Sequence, residues 1–187
     1  MKKLLLVICC VLSSWNAGAV EIAGVKLADE VRVGGESLQL NGAGIRTKLF
    51  FKVYVGALYL PQKQTSAEAI ISGEREHRVA LHMLRELSSE KLLSAFNDAI
   101  AENHTPAEVV ALGAQLKQLK QIFDAVKEVK TGDVITLDYM PASGTHISVN
   151  GTLKGTIVGI AFNAALLKIW LGENPVQGDL KLKLLGL

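Results

Sequence analysis

The alternation of strand-forming and helix-forming stretches predicts an α+β fold, in which a mainly antiparallel β-sheet is covered on one face by a layer of α-helices. Three β-rich regions, 20–61, 77–84 and 134–156, carry apolar residues in alternation or in short runs. Between the last two regions, two helix-start signals precede apolar residues spaced by three and four. We expect a single domain over 20–187.

Residues 1–19 are interpreted as a secretory signal peptide. Lys2-Lys3 precede an apolar run over 4–12, and the small residues 17–19 provide the expected cleavage site after Ala19. Because the apolar run is too short for a confident membrane span, we expect an exported, periplasmic protein with no transmembrane segment after cleavage. A retained N-terminal anchor is the alternative.

Cleavage would remove both cysteines of the chain, Cys9 and Cys10, so thiol catalysis is excluded in the mature protein. Ile8 before Cys9 fits a lipoprotein cleavage site poorly. Two of the 20 basic residues also lie in the signal, so 18 remain to balance the 18 acidic residues. A neutral mature chain argues against nucleic acid as a partner and against an electrostatic hold on anionic membranes.

The first strands are predicted over 20–27 and 30–33, before a turn at Gly34-Gly35. A strand over 37–40 then leads into the most β-rich stretch of the chain, 40–61. These residues form the expected centre of the sheet.

Arg46 lies in this apolar stretch, after Gly42 and Gly44, and has no acidic residue nearby in sequence. A guanidinium in an apolar sheet needs a carboxylate, a phosphate or water for its donors. The anion could be a ligand. An ion pair with a distant Asp or Glu, or a side chain that extends to solvent, is the alternative.

After the central stretch, Thr65 and Glu68 predict a capping box for a short helix that ends at Gly73. A strand follows over 77–84, with alternate residues on opposite faces. No metal site is predicted, because the histidines do not have the spacing of ligands. They are His77, His82, His104 and His146.

Two helices are predicted in the middle of the chain. Ser88 or Ser89 caps the first, which runs to about Glu102. The second begins at the Thr-Pro-Ala-Glu signal of 105–108 and is expected to continue to Val126. Packing of its apolar seam against the sheet is favoured over binding to a partner or a membrane surface. The seam comprises Val109, Leu112, Leu116, Leu119, Phe123 and Val126.

The last third of the chain returns to strands and then to helices. A strand over 134–139 and a hairpin over 146–156, turning at Asn150-Gly151, are followed by a helix over 157–171 and a last amphipathic piece over 179–185. Asn-Gly is the preferred sequence of a two-residue hairpin turn.

Three segments resemble the chalcone isomerases and their non-catalytic fatty-acid-binding relatives. GAGIR with FFKVYVGALYLP is similar to the GxGxR and FxKxTxIGVYL pattern, and ALLKIWLGENPVQGDLK and SSEKLLSAF are similar to helices of that family. The chain is most similar to bacterial, exported chalcone-isomerase-like domains. This resemblance implies a long curved sheet facing a helical layer, an open-faced sandwich with the ligand between the two.

The resemblance to the catalytic branch is incomplete. Arg46 matches the arginine that polarises the flavonoid, but Tyr54, Ser88 and Ala95 stand where the enzymes have threonine, tyrosine and asparagine. Loss of one positioned donor typically costs ~2.7–4 kcal/mol of transition-state stabilisation, so efficient cyclisation of a chalcone is not expected. Motifs for phosphate binding or a GxSxG nucleophile are also missing, and no cofactor is predicted.

The non-catalytic branch resembles this chain in pairing the arginine with a tyrosine. Arg46 and Tyr54 are therefore predicted to bind the carboxylate of a small apolar ligand, with a fatty acid expected. Along one strand they would lie roughly 26 Å apart, so the chain must turn between Thr47 and Phe51, where no Gly or Pro marks a turn. Two alternatives stay open: an isomerase acting on a small phenol or enone, with Arg46 as the catalytic candidate, and a structural or interaction protein without a ligand. Neither protein partners nor the oligomeric state are predicted.

Overall fold

The structure, a computed structural model, describes residues 19–187, and the predicted signal peptide up to Gly18 lies outside the described residues. The strands of the described chain are β1 (Ala19–Ile22), β2 (Val25–Ala28), β3 (Glu30–Val33), β4 (Glu36–Lys48), β5 (Phe51–Leu60), β6 (His77–Met83), β7 (Leu87–Ser88), β8 (Glu128–Val129), β9 (Val134–Met140), β10 (Gly144–Val149) and β11 (Thr152–Ile157). The helices are α1 (Ala67–Ile71), α2 (Ser89–Glu102), α3 (Pro106–Ala111), α4 (Gly113–Val126), α5 (Ile160–Leu171) and α6 (Gly178–Leu184).

Seven strands form a curved antiparallel sheet in the order β11-β10-β9-β6-β5-β4-β3. The remaining strands form two small pairs, β1 with β2 and β7 with β8. The predicted α+β class with a mainly antiparallel curved sheet is therefore confirmed.

The sheet buries apolar residues on both faces. On β5, Tyr54 and Leu58 join the larger core, which lies between the sheet and the helices. Val55 and Tyr59 point to the opposite face, where they pack with Leu27 of the β1–β2 hairpin. The helical layer on one face is as predicted, and the N-terminal hairpin covers part of the other face.

A β-bulge in β4 determines which residues face the helices. The pairing with β5 shifts between Leu40 and Gly42, so Leu38 and Leu40 face the hairpin while Gly42 and Gly44 face α6. A Cβ on Gly42 would overlap the carbonyl oxygen of Lys183, so the glycine allows α6 to lie directly on the strand. The helical layer can therefore reach the end of β4 that carries Arg46.

Several local signals of the sequence are confirmed. Ser88 is the N-cap of α2, and Thr105 forms a capping box with Glu108 at the start of α3. Asn150 and Gly151 form the β10–β11 turn, with φ of 51° and 75°. Each of these signals acts within three residues, which explains why it could be recognised in the sequence.

Four predicted boundaries are wrong. The strand over 20–27 is a hairpin that turns at Ala23-Gly24, because both residues adopt positive φ. The helix predicted from Thr65 begins after Ser66, whose side chain accepts the N–H of Ala69 while Gln64 accepts the N–H of Ser66. The other two are at Leu112 and Ile157.

The helix predicted to continue from 105 to Val126 breaks at Leu112, where α3 ends and α4 starts with Gly113. Gly113 favours this break because glycine is a poor helix former. The apolar residues keep their helical spacing on both sides of the break, so their pattern predicted one continuous helix. Ile157 pairs with Thr145 and so extends β11, and α5 starts only at Ile160.

Candidate functional site

A cleft of about 680 Å³ opens between the turn of the β4–β5 hairpin and helix α2. Its volume is in the range of small-molecule sites. Both predicted site residues, Arg46 and Tyr54, contribute to its wall. The apolar part of the wall consists of Leu49, Phe51, Val53, Leu87, Leu92, Ala95, Phe96, Ala99, Ile169, Pro175 and Val176.

Arg46 and Tyr54 are direct cross-strand partners in the β4–β5 ladder. The chain reversal that this pairing requires is a two-residue turn at Leu49-Phe50. Leu49 adopts a positive φ of 56° in this turn. Because residues opposite each other on neighbouring strands share a face, both side chains point to the helix side of the sheet. The sequence prediction that these two residues lie together is therefore met by the geometry.

The guanidinium of Arg46 is held by neutral acceptors. Its Nη1 donates to the carbonyl oxygen of Thr47 and to Oε1 of Gln177, the latter at 3.2 Å. Among the ion pairs of residues 19–187, none involves Arg46. An ion pair with a distant carboxylate, the alternative considered from the sequence, is therefore not found for Arg46 in the described chain.

Gln177 fixes the position of Arg46 through both ends of its amide. Its Oε1 also accepts the N–H of Thr47 at 2.8 Å, and its Nε2 donates to the carbonyl of Ile45 at 3.1 Å and to Asp179 at 2.7 Å. Gln177 was not predicted from the sequence. Its only sequence signal is its place inside the ALLKIWLGENPVQGDLK segment, immediately before α6.

The hydroxyl of Tyr54 is buried beside Arg46. It accepts a hydrogen bond from Nε1 of Trp170 at 2.9 Å, so its own proton remains available for an acceptor in the cleft. Burial raises the pKa of Tyr54 to about 12, and the Trp170 hydrogen bond and the Arg46 charge only partly oppose this shift. Tyr54 is therefore a neutral hydrogen-bond donor at physiological pH.

Trp170 was also missed, although a general signal exists. The indole N–H of a buried tryptophan needs an acceptor, and Trp170 lies in an almost wholly apolar helix, α5. The acceptor therefore had to come from another element. It is provided by Tyr54, on a strand far away in sequence.

The two other positions compared with the isomerases have no catalytic group to offer. Ser88 caps α2, and its hydroxyl accepts the N–H of Lys91 at 3.4 Å. Ala95 lies on the cleft wall, where its methyl side chain cannot order water or substrate. Of the four positions compared with the isomerases, only Arg46 and Tyr54 therefore bring polar groups to the cleft wall.

Charge is unevenly distributed around the cleft. Lys48, Arg85 and Lys91 line the end at the hairpin turn, and Asp98 and Glu102 line it further along α2. From Lys91 to Glu102 the helix rises roughly 16 Å. Asp98 and Glu102 are therefore separated from Lys91 by two to three helical turns.

The described histidines do not form a metal site. His77 is buried, with its ring nitrogens 3.0 Å from the carbonyl oxygen of Arg75 and from Asn163, and its burial lowers its pKa. No group of three or more potential ligands is found within residues 19–187. The helices of this part of the chain are also too short or too polar to cross a membrane.

Comparisons with known proteins agree with this architecture. A family model described as chalcone isomerase-like matches residues 19–186. The fold is similar to the crystal structure of a fatty-acid binding protein of Arabidopsis thaliana, with a TM-score of 0.72 and 15% sequence identity, over 90% of this chain and 96% of that chain. At this identity the likeness establishes the fold alone. A comparison with curated proteins gives no match.

Proposed function

The chain belongs to the chalcone isomerase-like family, and from this premise we propose that it is a non-catalytic protein that binds a small apolar carboxylate, with a fatty acid as the expected ligand. The observation that carries the proposal is the pairing of Arg46 with Tyr54 at the wall of one cleft. The name of the plant protein of the same fold, a fatty-acid binding protein, supports the same ligand class.

The polar pair suits a carboxylate better than a neutral group. The guanidinium has further N–H donors besides the one that contacts Thr47 and Gln177, and the Tyr54 hydroxyl has a free proton. A charge-assisted contact to a carboxylate contributes ~1.5–3 kcal/mol, and two parallel N–H groups also fix its orientation. An alcohol could accept a hydrogen bond from the same guanidinium, but it has no negative charge to pair with Arg46, so its contact is weaker.

The apolar part of the cleft wall suits an acyl chain. Leu92, Phe96 and Ile169 are buried core residues whose surfaces form the wall between sheet and helices. Each methylene group removed from water contributes up to ~0.8 kcal/mol, so affinity should rise with chain length until the cleft is full.

Three features argue against an isomerase. Tyr54 is a neutral donor with a raised pKa rather than a base, the hydroxyl of Ser88 is engaged as a helix cap, and Ala95 has no polar atom in its side chain. We expect the purified protein to cyclise a hydroxychalcone no faster than buffer at the same pH. A clearly faster rate that is lost in Arg46→Ala would reverse this conclusion.

Calorimetry with matched acids and alcohols tests the ligand proposal. Arg46→Ala should weaken binding of a fatty acid by roughly tenfold or more and weaken binding of the alcohol of equal length much less, because only the acid loses the attraction between two opposite charges. Tyr54→Phe should weaken fatty acid binding less than Arg46→Ala does, because it removes one neutral donor and keeps the ring. Arg32→Ala, on the exposed face of β3, is the matched control.

The assignment is wrong if the wild-type protein binds no fatty acid at micromolar concentration. It is also wrong if Arg46→Ala affects acid and alcohol equally. The single tryptophan of a chain that starts at Val20 is Trp170, next to Tyr54, so its fluorescence offers an independent reading of ligand binding.

We also propose that the protein is exported to the periplasm and processed after Ala19. Strand β1 starts at this residue, so cleavage would cost the β1–β2 hairpin only its terminal Ala19–Ala28 pair. Sequencing of the mature N-terminus should begin at Val20. A mature protein that begins at Met1 would contradict the proposal.

A further inference from the structure

The turn of the β4–β5 hairpin presents three large apolar side chains to solvent. Leu49 is 82% exposed, Phe50 is 96% exposed and Phe51 is 57% exposed. They are consecutive in sequence and lie at the outermost point of the hairpin. We call these three residues the apolar tip.

The sequence of this turn is unfavourable for folding. Residues 19–187 contain three other two-residue hairpin turns, Ala23-Gly24, Gly34-Gly35 and Asn150-Gly151, and each has a glycine at positive φ. The β4–β5 turn places Leu49 at positive φ instead, where an L-residue with a bulky side chain is strained. Strain combined with exposed aromatic surface indicates selection for a role other than stability.

Cationic side chains surround the apolar tip. Lys48 and Lys52 flank it in sequence, and Lys48, Arg85 and Lys91 line the adjacent end of the cleft. The guanidinium carbon of Arg85 lies 4.7 Å from the centre of the Phe51 ring.

Acidic residues are fewer at this end of the molecule. Glu86 follows Arg85 and Glu90 precedes Lys91, whereas the acidic residues of the cleft wall, Asp98 and Glu102, lie further along α2. An anionic surface would therefore attract the molecule with the tip foremost, even though the mature chain as a whole is neutral.

We propose that the apolar tip inserts into the interfacial layer of an anionic lipid bilayer, with the surrounding lysine and arginine side chains contacting lipid phosphates. Exposed aromatic and leucine side chains beside cationic residues are the combination that holds proteins at membrane surfaces. Leu49 and Phe51 also line the cleft, so docking through the tip would bring the cleft entrance to the membrane. The inference does not depend on which ligand the cleft binds.

A bilayer fits this surface better than a second protein does. The apolar tip is convex and narrow, and a protein partner would need a matching recess to bury it. A fluid bilayer needs no such recess and supplies the negative charge at the same depth. Association with another copy of the chain is the competing explanation, and the experiment separates the two.

Co-sedimentation with vesicles tests the proposal. The wild-type protein should bind mixed vesicles that contain phosphatidylcholine and phosphatidylglycerol in a 1:1 ratio. It should bind vesicles of phosphatidylcholine alone much more weakly. Phe50→Ser should lower the partition coefficient by roughly tenfold or more, because insertion removes the whole ring from water. The double variant Lys48→Gln with Lys52→Gln should lose roughly twentyfold on the mixed vesicles, and the loss should shrink in high salt.

The β10–β11 hairpin provides matched controls. Leu153 is 54% exposed and Lys154 is also exposed, on a hairpin other than the one with the apolar tip. Leu153→Ser and Lys154→Gln should therefore bind vesicles as the wild-type protein does. Because Phe50 is almost fully exposed, Phe50→Ser should keep the thermal stability of the wild-type protein.

The proposals of ligand binding and of membrane docking can be tested independently of each other. Arg46→Ala should lose fatty acid affinity and keep vesicle binding, whereas Phe50→Ser should keep affinity for fatty acid added from solution and lose vesicle binding. Equal vesicle binding by wild type and Phe50→Ser overturns the docking proposal. A wild-type protein that ignores vesicles but forms dimers that Phe50→Ser abolishes also overturns it, in favour of a second copy.

Discussion

Tyr54 combines two roles at the level of a single residue. Its ring belongs to the buried core, and its hydroxyl is the donor that a ligand beside Arg46 would meet. Trp170 occupies one lone pair of the hydroxyl oxygen and thereby leaves the proton free to point elsewhere. The cost of burying this polar group is offset on one side by Trp170, and the other side remains for a ligand.

The ionisation of Tyr54 gives a pH-dependent prediction. Burial raises its pKa to about 12, above the value near 10 of an unfolded chain. The unfolded chain therefore loses this proton first. The contribution of protonated Tyr54 to the free energy of unfolding is fully present below about pH 10. It is lost as the pH rises toward 12, which lowers the free energy of unfolding by roughly 2–3 kcal/mol in total.

Urea unfolding of wild type and Tyr54→Phe measures this effect. The difference between their free energies of unfolding should be constant at neutral pH and should shift against the wild type above about pH 10. Tyr59 and Tyr139 also have raised pKa values, but they are present in both proteins and cancel in the comparison. A difference that stays constant up to pH 12 would contradict a buried, neutral Tyr54.

At the level of elements, the packing of α6 on β4 connects the core with the site. A Cβ on Gly42 would overlap the carbonyl oxygen of Lys183 and lie 2.8 Å from that of Leu184. Backbone atoms cannot move aside cheaply, so Gly42→Ala should destabilise the fold by ~1–3 kcal/mol. Since Gln177 precedes α6 and holds Arg46, the displaced helix should also weaken binding of the acid ligand.

Gly113→Ala is the matched control for this prediction. Nothing lies within 4 Å of a Cβ built on Gly113, and alanine is the better helix former, so this variant should be neutral or slightly stabilising. Thermal unfolding and calorimetry of both variants provide the comparison. Equal stability of Gly42→Ala and Gly113→Ala would mean that α6 does not lie against β4 as described.

The strained turn of the β4–β5 hairpin predicts a trade-off between stability and docking. Asparagine tolerates the left-handed conformation that Leu49 adopts, so Leu49→Asn should stabilise the fold by up to about 1 kcal/mol. Leu153→Asn, at an exposed strand position, should be neutral or destabilising because asparagine is disfavoured in strands. Chemical unfolding distinguishes the two, and a destabilised Leu49→Asn would show that this leucine contributes packing in solution.

The reach of each signal along the chain explains what could be predicted from the sequence. The caps at Ser88 and Thr105 and the Asn150-Gly151 turn act locally and were recognised. Gln177 and Trp170 act on residues more than a hundred positions away, and nothing beside them in sequence indicates those partners. Arg46 and Tyr54 were identified from a family pattern and from an arginine without a nearby acid, but their alignment depends on the unmarked turn at Leu49-Phe50.

At the scale of the whole molecule, the two faces of the sheet differ in that only one of them carries the cleft. The helical face contains the cleft with Arg46 and Tyr54. The β1–β2 hairpin covers part of the opposite face, and none of the core residues on that face lines the cleft. Changes to the hairpin should therefore alter the stability of the protein without altering the chemistry of the site.

Leu27 tests this separation most directly. It is only 1% exposed and packs from the β1–β2 hairpin into the second core, so Leu27→Ala should destabilise the protein by ~2–5 kcal/mol. Leu182→Ala, at a half-exposed position of α6, is the control and should cost much less. Under conditions where Leu27→Ala remains folded, its affinity for a fatty acid should equal that of the wild type, because the cleft lies on the other face of the sheet. Urea unfolding and calorimetry on the same samples measure both quantities, and a Leu27→Ala protein of normal stability with weakened ligand binding would show that the two faces are coupled.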